Sequence, residues 1–267
     1  AGTITETLDN TTSSPQIVTY TFTTDANGCT PAVTSVNVTV DPTPTFTGTP
    51  YAQTICSGQA LGFNPTSDVT GAVYTWTSAP VANITGNTAT GSGTITDVLI
   101  NTGDAVETVI YVLTVTGPSP ESCVSPTTEN FVVTVNPTPV QTITNNDAIV
   151  CEGIPVDIDY VTPTENGDIT LTATYPAGVT GSVNYTGQSI GAAGTITETL
   201  DNTTSSPQIV TYTFTTDANG CTPAVTSVNV TVDPTPTFTG TPYSRTICNG
   251  QALGFNPTSD VTGAVYT

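Results

Sequence analysis

The sequence predicts an all-β chain made of tandem β-sandwich domains, and three observations carry that expectation. Apolar residues alternate with polar ones, as where Val36, Val38 and Val40 are set against Ser35, Asn37 and Thr39; this is the period of a strand with one buried face. About a quarter of the residues are Thr, joined by Val, Ile and Tyr that suit half-buried pleated strands, while 21 Pro and 23 Gly supply turns. The sequence also repeats itself on two scales. No stretch longer than about ten residues keeps a helical stripe.

On the larger scale, Ala1 to Thr75 recur as Ala193 to Thr267 with three changes, Ala52 to Ser244, Gln53 to Arg245 and Ser57 to Asn249, a period of 192 residues. Near-identity over that length points to duplication within one gene, and the chain reads as an excerpt of a longer array. On the smaller scale, Val-Thr-Val-Asp/Asn-Pro-Thr-Pro begins at Val38, Val133 and Val230, with spacings of 95 and 97 residues. That spacing matches the roughly 100 residues of an immunoglobulin-like sandwich. Each Pro removes a strand donor and restricts the residue before it, so Pro-Thr-Pro ends a strand and gives a short, stiff, extended linker. The expected layout is the C-terminal half of a type B domain at 1–42, a type A domain at 43–138, a type B domain at 139–234, and the N-terminal part of the next type A domain at 235–267.

Within each domain the clearest feature is a C-terminal hairpin. Val18, Tyr20 and Phe22 alternate with Thr19, Thr21 and Thr23, and the turn Asp25 to Gly28 joins them to the strand ending at Val40. In type A the same place is held by Val109 to Val115 and Phe131 to Val135, and Tyr74 with Trp76 lie on one face of an earlier strand. An aromatic there resembles the central tryptophan of immunoglobulin-like sandwiches. The six Cys, without any His or close Cys-x-x-Cys pairs, do not suit structural zinc. Two fall in each complete domain, one near its start and one in the final turn. If that turn lies at the entry pole beside the first strand, the expected disulfides are Cys56–Cys123 and Cys151–Cys221. Cys29 and Cys248 would then pair outside the segment, and the alternative is six buried free thiols. Closing a loop of about 70 residues would constrain the unfolded chain by roughly 4 kcal/mol in the entropy model. Disulfides imply an extracellular protein.

Charge excludes several classes of function. Twenty-one acidic residues face one basic residue, Arg245, giving a net charge of −20. Such a surface cannot neutralise phosphates or dock on anionic lipid through a basic patch, so no nucleic acid is expected, and apolar runs of only a few residues, far short of the ~20 that span a bilayer, give no direct membrane insertion. Without Lys, Lys–Asn isopeptide cross-links cannot form. The acidic surplus keeps a long polymer soluble and could collect divalent cations. The junction residues Asp41, Asn136 and Asp233 are the candidate calcium ligands, with capping of the linker turn as the alternative. No other cofactor is implied.

Enzymatic motifs are weak. Gly187-Gln-Ser189-Ile-Gly191 fits the pattern of a nucleophile elbow, but the chain has no His to serve as base. The carboxylate pairs Asp157 with Asp159, and Glu165 with Asp168, are explained by a solvated strand face and by an Asn-Gly turn. No catalytic residue is expected. Asn-x-Ser/Thr sequons at Asn10, Asn37, Asn83, Asn184, Asn202 and Asn229 arise readily in so Thr-rich a chain.

Four phrases carry a family resemblance: Thr-Ile-Cys-Ser-Gly (54–58), Val-Tyr-Thr-Trp-Thr (73–77), Val-Ile-Tyr-Val-Leu-Thr-Val (109–115) and Val-Thr-Val-Asn-Pro-Thr-Pro (133–139). They resemble the PKD-like, immunoglobulin-like repeats of giant surface proteins in the Bacteroidota. Type B keeps Ile-Val-Cys-Glu-Gly (149–153) and the terminal hairpin but lacks the tryptophan, and the Trp-Asp-Phe-Gly-Asp-Gly signature of true PKD domains is absent. The resemblance implies a cell-surface adhesin or filament, as in gliding adhesins of the SprB type exported by type IX secretion. The expected function is a structural repeat segment that extends from the cell for attachment, self-associating into a homo-oligomeric filament. The alternative is a specific carbohydrate- or protein-binding module using the loops at one pole, with cell-surface or glycan ligands.

Overall fold

The computed structural model describes residues 2–25, 27–240 and 243–267, so Ala26, in the turn expected at Asp25 to Gly28, lies outside the described residues. The described residues hold strands and no helix, and the chain divides into two compact units, Ala1–Pro137 and Thr138–Thr267.

The first unit opens with an antiparallel hairpin of β1 (Gln16–Thr24) and β2 (Ala32–Val40), in register from Gln16 opposite Val40 to Thr24 opposite Ala32. A complete sandwich follows, with β3 (Phe46–Thr47), β4 (Tyr51–Cys56), β5 (Thr66–Ser67), β6 (Val73–Ser78), β7 (Ile84–Thr85), β8 (Thr90–Ser92), β9 (Ile100–Asn101), β10 (Glu107–Thr116) and β11 (Glu129–Asn136). The large sheet has the order β4-β11-β10-β6-β8, while β3 pairs with β5 and β7 with β9 in the opposing layer. Period-two patterning selects the face: Val109, Tyr111, Leu113 and Val115 of β10 are fully buried, with Ile110 and Val112 exposed between them. Phe131, Val133 and Val135 of β11 complete that face, and Ile95 and Leu99 close it from the other side.

The second unit repeats the plan. Its strands are β12 (Thr142–Asn145), β13 (Ile149–Cys151), β14 (Ile158–Val161), β15 (Asp168–Thr174), β16 (Val179–Gly181), β17 (Thr186–Gly191), β18 (Ala193–Ile196), β19 (Leu200–Asn202), β20 (Gln208–Asp217) and β21 (Ala224–Asp233), followed by the short pair β22 (Phe238–Thr239) and β23 (Thr258–Ser259). The large sheet runs β13-β21-β20-β15-β17, and β12-β14-β18 with β16-β19 form the second layer.

In both sandwiches the first stretch of strand is split between the layers. Type A enters through β3 in the small layer, turns at Gly48, which takes a φ of 78°, and continues as β4 on the edge of the large sheet. There β4 runs parallel to the last strand β11, with Tyr51 opposite Phe131 and Cys56 opposite Asn136. The second unit does the same, with Cys151 of β13 opposite Asp233 of β21. Each domain therefore has an entry pole, where the last strand begins, and an exit pole, where the first and last strands both end.

One hairpin sequence occurs in two surroundings. Residues 16–40 and 208–232 are identical. Phe214 and Val230 are 0% exposed in the second copy, whereas Phe22 and Val38, their counterparts, are 42% and 37% exposed. Within these 267 residues, 139–192 stand before the second copy and contribute Val156, Ile158 and Ile169 to its core. The cover, not the hairpin, therefore determines burial, and each large side chain it buries is worth about 1.5–3 kcal/mol. Tyr51 and Leu61 of type A are likewise buried, in a core completed by Trp76, Tyr111 and Phe131.

Type B also buries a carboxylate that alternation places inward. Ile196, Glu198 and Leu200 share one face, and Glu198 is 2% exposed. With no cation beside it, it accepts hydrogen bonds from Tyr212 at 2.5 Å and from Tyr175 at 2.9 Å. Burial, then the bond to Glu198, holds the Tyr212 phenol far above its usual range, so it remains a donor. In type A the smaller Asp97 takes this place between Ile95 and Leu99, accepting from Tyr111 at 2.7 Å and from the Thr88 backbone N–H and hydroxyl. In that domain Trp76 packs edge-on against Tyr111, and only a glycine fits beneath the indole, since a Cβ on Gly91 would lie 2.1 Å from Trp76 Cζ2.

Two outcomes follow for thermal unfolding followed by circular dichroism. Tyr212→Phe leaves Glu198 short of a donor and destabilises the second unit by about 1–3 kcal/mol. Gly91→Ala overpacks the tryptophan site and destabilises the first unit by about 1–3 kcal/mol. A Tm unchanged from the parent chain in either variant contradicts the corresponding packing.

Candidate functional site

Two acidic residues, Glu152 and Asp201, face one cleft at the exit pole of type B. After β13 the chain turns through Glu152 and Gly153, the latter at a φ of 76°, and faces the end of β16 and the start of β19. Together they enclose an open cleft of about 300 Å³ lined by Glu152, Thr180, Gly181, Thr199 and Asp201. Glu152 accepts the backbone N–H of Thr235 at 3.0 Å, which, with a hydrogen bond from Asp201, lowers its pKa. The same bond raises the pKa of Asp201. The cleft can offer oxygen acceptors to a polar ligand, and the counterpart in type A replaces Glu152 with Ser57, whose hydroxyl accepts the Asn101 backbone N–H at 3.1 Å.

The candidate calcium ligands stand apart. Asn136 is buried at the exit pole of type A, its carbonyl accepting the Ser57 N–H at 2.9 Å. Asp41 lies by the entrance to the same domain, lining a small cavity with Pro42, Gly117, Pro118 and Cys123. Asp233 ends β21, and its carbonyl accepts the Glu152 N–H at 2.9 Å. Among the described residues no three His, Cys, Asp or Glu side chains gather as a metal ligand set.

Ser189 lies on β17, an edge strand paired with β15 through two register shifts, and not on a strand-to-helix elbow. Its hydroxyl donates to Asp168 at 2.9 Å. Asp159 accepts from Thr195 at 2.6 Å and from Asn146 at 3.0 Å, which lowers its pKa. These carboxylates tie strands together. Of the sequons, Asn202 is 2% exposed and spends its amide on the carbonyls of Val232 and Ser206, at 2.8 and 3.0 Å. Asn101 makes the same clamp in type A, donating to Val135 at 3.0 Å and Ala105 at 2.7 Å. Its sequence sign is an Asn at the end of a short strand a few residues before the long hairpin.

The cysteines correct the expected pairing. Cys56 and Cys221 are disulfide-bonded, while Cys29, Cys123, Cys151 and Cys248 carry free thiols. The pairs Cys56–Cys123 and Cys151–Cys221 are not formed, for a topological reason. The final turn is at the entry pole, as expected, since the Gly117 N–H bonds the Cys123 carbonyl beside Asp41 and Pro42. But Cys56 ends β4 rather than beginning it, level with Asn136 at the far end of β11. The length of β11 separates the two poles, on the order of 25 Å, against the 7 Å or less between Cα atoms that a disulfide tolerates. Cys151 and Cys221 are kept apart in the same way by β21.

Comparison with known proteins places this architecture. The model of the PKD-like domain matches twice, over residues 53–139 and 148–236. No curated protein matches the chain. Among solved structures, mouse Protocadherin-24 EC1-3 aligns at 15% identity and a TM-score of 0.36, covering 82% of this chain and 80% of that one. Mouse clustered PcdhgC3 EC1-3 aligns at 12% and 0.39, covering 84% and 78%. Protocadherin Gamma B2 extracellular cadherin domains 1-5 align at 14% and 0.36, and this chain, 85% covered, spans 47% of that one. The two family matches fall on the two sandwiches, and the chain belongs to the PKD-like domain family.

Proposed function

We propose that this chain is a structural repeat segment of a very long extracellular adhesin or filament that extends from the cell surface for attachment to surfaces or other cells. The observation that carries the reading is the reuse of one architecture, with a 75-residue sequence almost unchanged between copies and each sandwich closed on its own core. Such arrays gain length by adding domains, and stability is summed domain by domain. In this reading the domains run 1–42, 43–138, 139–234 and 235–267, with Pro-Thr-Pro as the linkers. This reading likens the chain to the repeats of giant Bacteroidota adhesins of the SprB type, exported by type IX secretion, which its sequence phrases resemble.

Self-association into a homo-oligomeric filament is part of the proposal. The outward face of the large sheets exposes Ile110, Val112 and Ile209 among threonines, a surface suited to lateral packing without salt bridges. The edges favour pairing less, because β8 has three residues and β17 is bulged. The second reading, a carbohydrate- or protein-binding module, is favoured by one observation, the acceptor-lined cleft at Glu152 and Asp201. No helix among the described residues is long and apolar enough to cross a membrane.

Electron microscopy of the purified full-length native protein separates the alternatives. The proposal predicts a helically ordered fibre thicker than one domain. A thread one domain wide contradicts the self-assembly, and globular particles contradict the filament.

A further inference from the structure

The outward faces of the two large sheets differ in where they carry charge, and alternation leaves the type A face with none. Of the six acidic residues between 43 and 138, Glu107 and Glu129 share the inward alternation of Val109 and Phe131. The other four, Asp68, Asp97, Asp104 and Glu121, lie outside the large-sheet strands. In type B the corresponding face bears Asp168 opposite Asp217 at one end and Asp233 at the other.

The neutral face of type A is also ordered from its middle outward. Strand register sets Ala52, Val132 and Ile110 side by side in one row, with Val112 next on the same face of β10. Ile110 and Val112 keep 44% and 37% of their surface in solvent. A row of Thr54, Thr134 and Thr108 bounds them on one side, and a row of Thr114, Thr75 and Ser92 on the other. An apolar centre within a hydroxyl rim, free of charge, is the anatomy of a protein–protein interface. Beside the apolar row, across β10, β6 and β8, lies an open trough of about 470 Å³ lined by Thr75, Thr77, Thr90, Ser92 and Val112.

We propose that this face binds the same face of a second copy of the chain, so that type A domains make the lateral contacts of the filament and type B domains do not. Charge selects the occupant. Two chains of net charge −20 repel wherever carboxylates approach, and each has one basic residue to offset them. On the type A face, sheet can lie on sheet at about 10 Å without bringing carboxylates together. A two-fold contact there is self-complementary, because the apolar row of each copy seats in the trough of the other. A contact between two type B faces would carry acidic residues at both ends into the interface with no basic partner. The inference rests on the self-association reading and names the surface responsible for it.

The test is sedimentation velocity of the 267-residue chain over a range of concentrations, with free thiols alkylated so that intermolecular disulfides do not contribute. The proposal predicts reversible dimers that strengthen with ionic strength, because salt screens the repulsion and leaves the apolar contact intact. Ile110→Asp weakens dimerisation by on the order of a hundredfold, since a two-fold contact contains the substitution twice. Thr77→Asp, in the trough, acts in the same direction, and Ile209→Asp on the type B face leaves association unchanged. All three side chains are exposed, and circular dichroism checks that each variant folds. Weakening by Ile209→Asp, with Ile110→Asp and Thr77→Asp silent, overturns the assignment to type A while self-association stands. Dimers that weaken as salt is added overturn the apolar contact. A chain that stays monomeric at every concentration and salt contradicts self-association itself, and this inference with it.

Discussion

Everything in this chain depends on covering the apolar face of one long hairpin. The final two strands of each domain carry a row of Val, Tyr, Phe and Leu that no local structure can hide, and a two-stranded ribbon by itself is marginal in water. In the complete sandwiches a second layer seals the row from solvent, as at Val210, Tyr212, Phe214, Val230 and Val232; within these 267 residues no counterpart of 139–192 stands before the copy at 16–40, and Phe22 and Val38 are exposed. Hydrogen bonding within the hairpin is equivalent in the two copies, with Val18 opposite Val38 and Val210 opposite Val230. What separates them is the hydrophobic contribution of the second layer.

That requirement also sets the poles. For the first strand to serve both layers, it must cross from one to the other and then lie parallel to the last strand. The parallel pair puts the strand's end, its cysteine and the outgoing linker at one pole, and the final turn with the other cysteine at the opposite pole. The domain thereby becomes a directional block whose two ends differ chemically, a suitable unit for a head-to-tail array. The single basic residue leaves little role for ion pairs, and threonine hydroxyls take it over, as in the Thr211–Asn229 and Thr213–Ser227 bonds across β20 and β21.

Much of this was legible in the sequence because it rests on short-range pattern. Alternation located the hairpins, and Trp76 marked an inward-facing position on β6. The small layer was less legible: β3, β5, β7 and β9 are two residues each and are created by tertiary pairing, not by propensity. The cysteine pairing failed on a matter of direction. Spacing places Cys56 near the start of its domain, but only the parallel register shows that it ends its strand at the exit pole. Glu198 went unnoticed although Ile196 and Leu200 flank it at period two. An acidic residue invites a solvent-facing reading unless the tyrosines opposite are known. The Glu152–Asp201 pair joins residues far apart in sequence and was beyond any local signal.

Hydrogen–deuterium exchange read by mass spectrometry on the 267-residue polypeptide tests the central claim most directly, because that polypeptide carries the hairpin once with residues 139–192 before it and once without a counterpart. Peptic fragments from 16–40 and 208–232 have identical sequences and masses. If the second layer stabilises the hairpin, these fragments give a split isotopic envelope at intermediate times, one population exchanged and one protected in equal amounts. A single envelope, with both copies exchanging together, would contradict the account by showing that the hairpin's stability resides in its own two strands.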